Sequence, residues 1–117
     1  PLLHAKYLEF YLSARAKKSG AVRKLNTMKN TKRRYYRGEM NKVELDQHEW
    51  EQWQGLKPSN AEMNQLFEMD SDLNQLEGMI DYWDTCISTV EYIMRAISSR
   101  NYDIKSMIEY RKFEAGG

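Results

Sequence analysis

The chain has 117 residues, 41% of them hydrophobic and 30% charged, with a formal net charge of +1. That length holds one domain, the apolar fraction excludes wholesale disorder, and no apolar run approaches the roughly 18 residues of a membrane span. The charges are sorted along the chain: residues 1–37 carry eleven Lys and Arg against the single acid Glu9, and residues 38–94 carry two Lys against thirteen acids.

Glycine and proline are scarce, with 6 and 2 copies, so long helices are expected. Residues 2–18 place Leu8, Tyr11, Leu12 and Arg15 at helical spacing, and Gly20 is a stop signal. A second helix is expected over 21–37, with Ala21, Val22, Leu25, Met28, Tyr35 and Tyr36, and Gly38 as its left-handed cap. Residues 39–54 are acidic, and Trp50 and Trp53 three apart predict a short amphipathic helix there. These tryptophans read either as packing residues or as a docking site for a basic protein surface. GLKPSN at 55–60 is the clearest loop, and Ser59 with Glu62 forms a capping box that starts the next helix.

Leu66, Met69, Leu73, Leu76, Ile80, Trp83, Ile87, Val90, Met94 and Ile97 then follow at alternating steps of three and four. This heptad seam predicts one unbroken helix over about 60–98. At 1.5 Å per residue it would be about 55–60 Å long, against about 30 Å for a globular domain of this size. The seam therefore calls for a partner helix from another copy. An intramolecular bundle, in which residues 1–54 fold back over the stripe, is the alternative. Met79, Cys86 and Ile93 broaden the stripe, while Asp70, Glu77, Asp84 and Glu91 line its flank, which favours assembly beyond a dimer. The expected oligomerisation residues are Leu73, Leu76, Ile80, Trp83, Ile87, Val90, Met94 and Ile97. In the tail, Asn101 or Asp103 would cap a separate short helix with Ile104, Met107 and Ile108 on one face, ending at Gly116.

The stretch KNTKRRYYRG, residues 29–38, packs five cations and two tyrosines into ten positions. On a helix Lys29, Arg33 and Arg37 align, with Arg23 and Arg34 beside them and Tyr36 at the border of the stripe. Such a stripe suits single-stranded nucleic acid, since cations follow phosphates and a ring stacks on an exposed base. Tyr35 reads as core. Lys32 falls in the apolar phase, where it either snorkels or lines a groove shared between subunits. A basic amphipathic helix also suits an anionic membrane or an acidic partner, and the basic segment can simply neutralise the acidic one, within or between subunits.

RRYYRG, LEGMIDYWD, AISSRNYDIK and YRKFEAGG, taken in this order and spacing, resemble the UvsY recombination-mediator family of tailed phages. The similarity runs from about residue 17 to the C-terminus. The resemblance implies an all-α, ring-like homo-oligomer, a hexamer or heptamer, held by its C-terminal helices. It also implies binding of single-stranded DNA and loading of a RecA-like recombinase onto strands covered by single-strand-binding protein. The family's Lys-Ala-Arg-Leu contact motif aligns with Asn30, Thr31, Lys32 and Arg33, so Lys32 stands for the motif arginine and Asn30 for its lysine. The DNA-binding residues expected are therefore Lys29, Lys32, Arg33, Arg34, Tyr36 and Arg37.

Catalysis finds little support. Neither His4 nor His48 has a carboxylate or cysteine at ligand spacing, so both read as surface or interface residues, and no metal or cofactor is expected. No Gly-rich phosphate loop is present. No signal peptide is expected, since His4, Lys6 and Glu9 interrupt the N-terminal apolar residues, and a start at Pro1 instead of Met points to residues lost upstream. The lone Cys86 fits a reducing, intracellular setting, the host cytoplasm for a phage protein. The expected organisation is one domain with two regions. Residues 1–58 form a basic helical region with the acidic tryptophan segment, and residues 59–117 form the oligomerisation helix and tail. The rival reading is a structural coiled-coil or adaptor protein without DNA, whose basic half meets acidic partners or membrane.

Overall fold

The computed structural model describes the backbone of residues 2–116 and the side chains of residues 2–100, 108 and 109. Among these residues the chain is all-α, in the order α1 (Leu2–Tyr36), α2 (Lys42–His48), α3 (Asn60–Met69) and α4 (Ser71–Gly116). Two expected breaks are absent. Gly20 lies inside α1, where a glycine costs only about 1 kcal/mol relative to alanine. That is too little to end a helix that buries Ala14, Ala21 and Leu25 along one face. The tail is likewise the continuation of α4 and not a separate helix; the side chains of Asn101, Asp103, Ile104 and Met107 lie outside the described residues.

Other signals act as their chemistry dictates. Gly38 adopts φ +71 and closes α1, with the Gly38 N–H on the Tyr35 carbonyl at 3.0 Å and the Glu39 N–H on the Arg34 carbonyl at 2.9 Å. Ser59 and Glu62 form the capping box: the Ser59 hydroxyl accepts the Glu62 N–H at 3.2 Å and donates to its carboxylate at 3.0 Å. Asn41 caps α2 by accepting the Glu44 N–H at 2.9 Å. That helix ends at His48, so Trp50 and Trp53 stand in the irregular segment after it and not on the amphipathic helix expected there.

The chain forms two compact units, Pro1–Lys17 with Tyr82–Gly117, and Lys18–Asp81. In the first, Ala14 and Val90 are buried, the Tyr11 hydroxyl donates to the Glu91 carboxylate at 3.4 Å, and the Lys17 ammonium sits 4.8 Å from the Trp83 ring centre. A stretch of α1 thus lies along a stretch of α4. The second unit buries Ala21, Leu25, Tyr36, Met40, Leu45, Met63 and Leu73. The heptad seam therefore finds a partner helix inside its own chain. Along the seam Leu73 and Val90 are buried, and Leu76, Ile80, Trp83, Ile87, Met94 and Ile97 are half-buried. This is the intramolecular alternative, with α1, a single helix of 35 residues and about 50 Å, in place of the two shorter helices expected over residues 2–37.

The seam itself is broken once, at Asp70, whose extended backbone (φ −73, ψ 122) separates α3 from α4. One carboxylate oxygen accepts the N–H groups of Asp72 and Leu73, at 3.0 and 3.1 Å, and so caps α4. The other accepts the Tyr36 hydroxyl at 2.6 Å and the Lys32 ammonium at 3.0 Å. Lys32 also reaches Asp72 at 2.7 Å. The break turns Met69 outward, leaving it 80% exposed, and brings a charge to the end of α1 in exchange. Burial works to raise the Asp70 pKa, but the bonds from Tyr36, the Leu73 N–H and Lys32 prevail and hold it below the usual carboxylate range.

Removing the Asp70 carboxylate strands the buried Tyr36 hydroxyl, uncaps the Asp72 and Leu73 N–H groups and leaves buried Lys32 with Asp72 alone. Asp70→Ala is expected to cost about 3–5 kcal/mol in urea unfolding, and Asp70→Asn less, because an amide oxygen still caps α4. A depressed carboxylate pKa contributes stability that is complete above the unfolded value of about 4 and lost as pH falls through the folded value. Acid unfolding of the wild type should therefore have a component absent from Asp70→Asn. Gly78 is in the interior of α4 with open space around its missing Cβ, so Gly78→Ala should raise stability by about 0.4–1 kcal/mol.

Candidate nucleic-acid interface

The basic end of α1 is divided by phase into three kinds of side chain. Lys32 and Tyr36, one turn apart, point inward and are 6% and 8% exposed. The expectation of Tyr36 as a surface ring for base stacking is not met, because its hydroxyl is committed to Asp70 and its ring is covered. Burial first, and then that hydrogen bond, push the Tyr36 hydroxyl pKa well above its ordinary value. Lys32 does not snorkel out. Its ammonium lies 4.0 Å from the Trp50 ring centre, between that ring and two carboxylates.

Arg34 is exposed but engaged. Its guanidinium grips Glu44 with two contacts, at 2.7 and 2.9 Å, which raises the arginine pKa and lowers that of the carboxyl through the shared hydrogen bond. Two of the expected DNA cations are thus neutralised by the acidic segment of the same chain. Lys29, Arg33 and Arg37 form the third kind, which has no acidic partner among the described residues. Arg33 bonds the Asn30 side-chain oxygen at 3.0 Å and lies 5.4 Å from the Phe67 ring centre, which fixes the direction of its guanidinium.

An aromatic cluster braces this end of the helix. Tyr36 meets Trp53 edge-on, at 4.9 Å and 90°. Tyr35 contacts Trp50 at 5.2 Å and donates its hydroxyl to the Glu51 carbonyl at 2.5 Å. Both tryptophans therefore serve as packing residues. Gly55 is needed beside them, since a Cβ there would fall 2.6 Å from the Trp53 ring. The indole N–H of Trp53 is buried with no partner. His48 stacks on the other large ring of the cluster, Trp50, at 4.3 Å and 15°.

Sequence reasoning missed two features. Asp70, expected on the flank of the stripe with Glu77, Asp84 and Glu91, caps α4 instead; the run Asp70-Ser71-Asp72 is a cluster of capping residues, a helix-start signal inside a heptad. The other is a groove of about 630 Å³ between α1 and α4 in the second unit, with Arg23, Lys24 and His48 in its lining. No sequence signal places His48 beside α1. Among the described residues no group of three or more His, Cys, Asp or Glu is placed to hold a metal ion, and no helix is long and apolar enough to cross a membrane.

Comparison with known proteins adds one finding. A family model described as "Recombination, repair and ssDNA binding protein UvsY" matches residues 1–117, including the N-terminal residues that the quoted motifs leave out. No curated protein and no solved structure matches the chain. Over its whole length, then, this chain belongs to the UvsY family of recombination, repair and single-stranded-DNA-binding proteins.

Proposed function

We propose that this protein is a recombination mediator that holds single-stranded DNA and loads a RecA-like recombinase onto strands covered by single-strand-binding protein, with no catalysis of its own. The observation that carries the reading is the end of α1. There Lys29, Arg33 and Arg37 have no acidic partner among the described residues, on a chain whose whole length matches a family of single-stranded-DNA-binding proteins. Phosphates meet these cations on the surface, and Arg34 joins when a phosphate displaces Glu44. Lys32 and Tyr36 act from inside, locking the last turns of α1 onto Asp70 so that the outer cations keep their positions. Contacts of this type carry little base preference and release counterions. The mediator's work is differential binding: a strand held along a fixed cationic surface is bound less well by a competing protein and is presented to a recombinase.

We further propose a ring-like homo-oligomer as the working form. Its support is apolar surface in the first unit: Phe10, Leu12 and Tyr92 are exposed, and Trp83, Ile87, Met94 and Ile97 are half-covered. A surface of this kind buries against further copies, and repetition sets several basic helix ends on one track with high avidity. The ion pairs Lys32–Asp70 and Arg34–Glu44 favour the rival in which basic and acidic segments serve each other, but they account for only part of the cationic segment.

Titration with a single-stranded oligonucleotide at several salt concentrations tests the DNA reading. Log K should fall linearly with log salt, and Arg33→Ala with Arg37→Ala should reduce the slope by about 0.7 per cation removed and weaken all sequences alike. Unchanged affinity in that double variant would remove the site. Mass measurement should find an oligomer that survives high salt while DNA is released; dissolution of the oligomer by salt would favour the charge-paired rival.

A further inference from the structure

Resting on the single-stranded-DNA reading, we propose that the groove between α1 and α4 is a second subsite that takes the bases of the bound strand. In this subsite a base stacks on the His48–Trp50 pair and the adjoining phosphates meet Arg23 and Lys24.

The groove is built for an amphipathic, anionic chain. Its volume, about 630 Å³, falls within the roughly 300–1,000 Å³ of clefts that hold small organic groups. Met28, Leu76 and Met79 supply an apolar lining, with Met79 41% exposed, and Arg23 and Lys24 supply positive charge. Neither cation has an acidic partner among the described residues. Asp72, the carboxylate in the lining, is held by Lys32 at 2.7 Å, so the net field favours phosphate. Thr27 and Gln75 offer polar atoms to base edges.

The stacking platform is the second, independent observation. His48 is exposed and lines the groove, while its ring is held at 15° to Trp50, which in turn lies over the Lys32 ammonium. A ring already oriented by a neighbour loses little freedom when a base stacks on it, and base–aromatic stacking tolerates any sequence. Tyr36, the ring assigned this task by the sequence, is buried, and His48 takes its place.

The two cationic surfaces lie on opposite flanks of one helix. Gly20, Lys24, Met28 and Thr31 share the groove flank, whereas Lys29, Arg33 and Arg37 share the other. Exposed Arg23 and Arg34 stand on the ridge between them. A strand crossing that ridge meets cations throughout and is bent over α1, with its bases turned into the groove on one side.

Anisotropy titrations should compare an oligothymidylate with an abasic oligonucleotide of equal length, using the full chain and two variants. His48→Ala removes the platform. Gly20→Leu fills the groove from a helical site where nothing lies within 4 Å of the missing Cβ, and it replaces the weaker helix former, so the fold is not at risk. Both variants are expected to bind the oligothymidylate about 10-fold more weakly, within the range of one lost stacked base, while abasic affinity and salt slope stay at wild-type values. Equal loss on both probes would overturn the base subsite, and so would unchanged binding of the oligothymidylate. A change in oligomer mass with unchanged DNA affinity would show that a second copy fills the groove, and would overturn it too. Failure of the wild type to bind either probe would overturn the DNA reading itself, a result separate from the other three.

Discussion

Most of the second unit is organised around the Asp70 carboxylate. Its two oxygens receive two backbone N–H groups of α4, the Tyr36 hydroxyl and the Lys32 ammonium. Each bond serves a different level of structure. The N–H groups start a helix in a position where the apolar pattern alone would have continued one. The tyrosine and lysine bonds tie the end of α1 to that helix start. A buried carboxylate is unfavourable without such partners, and here the partners come from two separate helices, so neither helix can shift without exposing an unsatisfied charge.

The basic segment owes its sorting to the same constraint. A helix shows each side chain to a direction set by its phase, and the phase that contains Lys32 and Tyr36 faces Asp70. Those two residues are therefore unavailable to a surface ligand, while on the neighbouring flank Lys29 and Arg33 are half-exposed and Arg37 is exposed. The aromatic cluster strengthens the division. Trp50 and Trp53 cover the inner tyrosine and the lysine, Gly55 leaves room for the indole, and His48 is carried to the outside of the stack. Inner residues fix geometry; outer residues are free to exchange partners.

Family membership and geometry support each other without being interchangeable. The match over residues 1–117 gives the class of activity, single-stranded DNA binding in recombination and repair. It does not say which cations meet phosphate. Ion pairing separates the cations physically: a lysine held between two carboxylates and an arginine clasped by Glu44 differ from Lys29, Arg33 and Arg37, which have no acidic partner among the described residues.

What the sequence by itself determined is what depends on neighbours in the chain. The helical class, the Gly38 cap, the Ser59–Glu62 box, the loop at 55–60 and the apolar phase of Lys32 all arise within a few residues, where backbone and side chain interact locally. The collinear motifs also carried the family. The tertiary structure alone decided everything that rests on contacts across dozens of positions. It joined two expected helices through Gly20, because one glycine is a small penalty beside a continuous buried face. It broke the heptad at Asp70, because partners at Lys32 and Tyr36 made an extended residue more favourable there than another helical turn. It gave the seam a partner from α1, and it buried the Tyr36 ring while leaving His48 exposed. Local pattern records which way a side chain points on its own helix, but only the folded chain determines what it meets there.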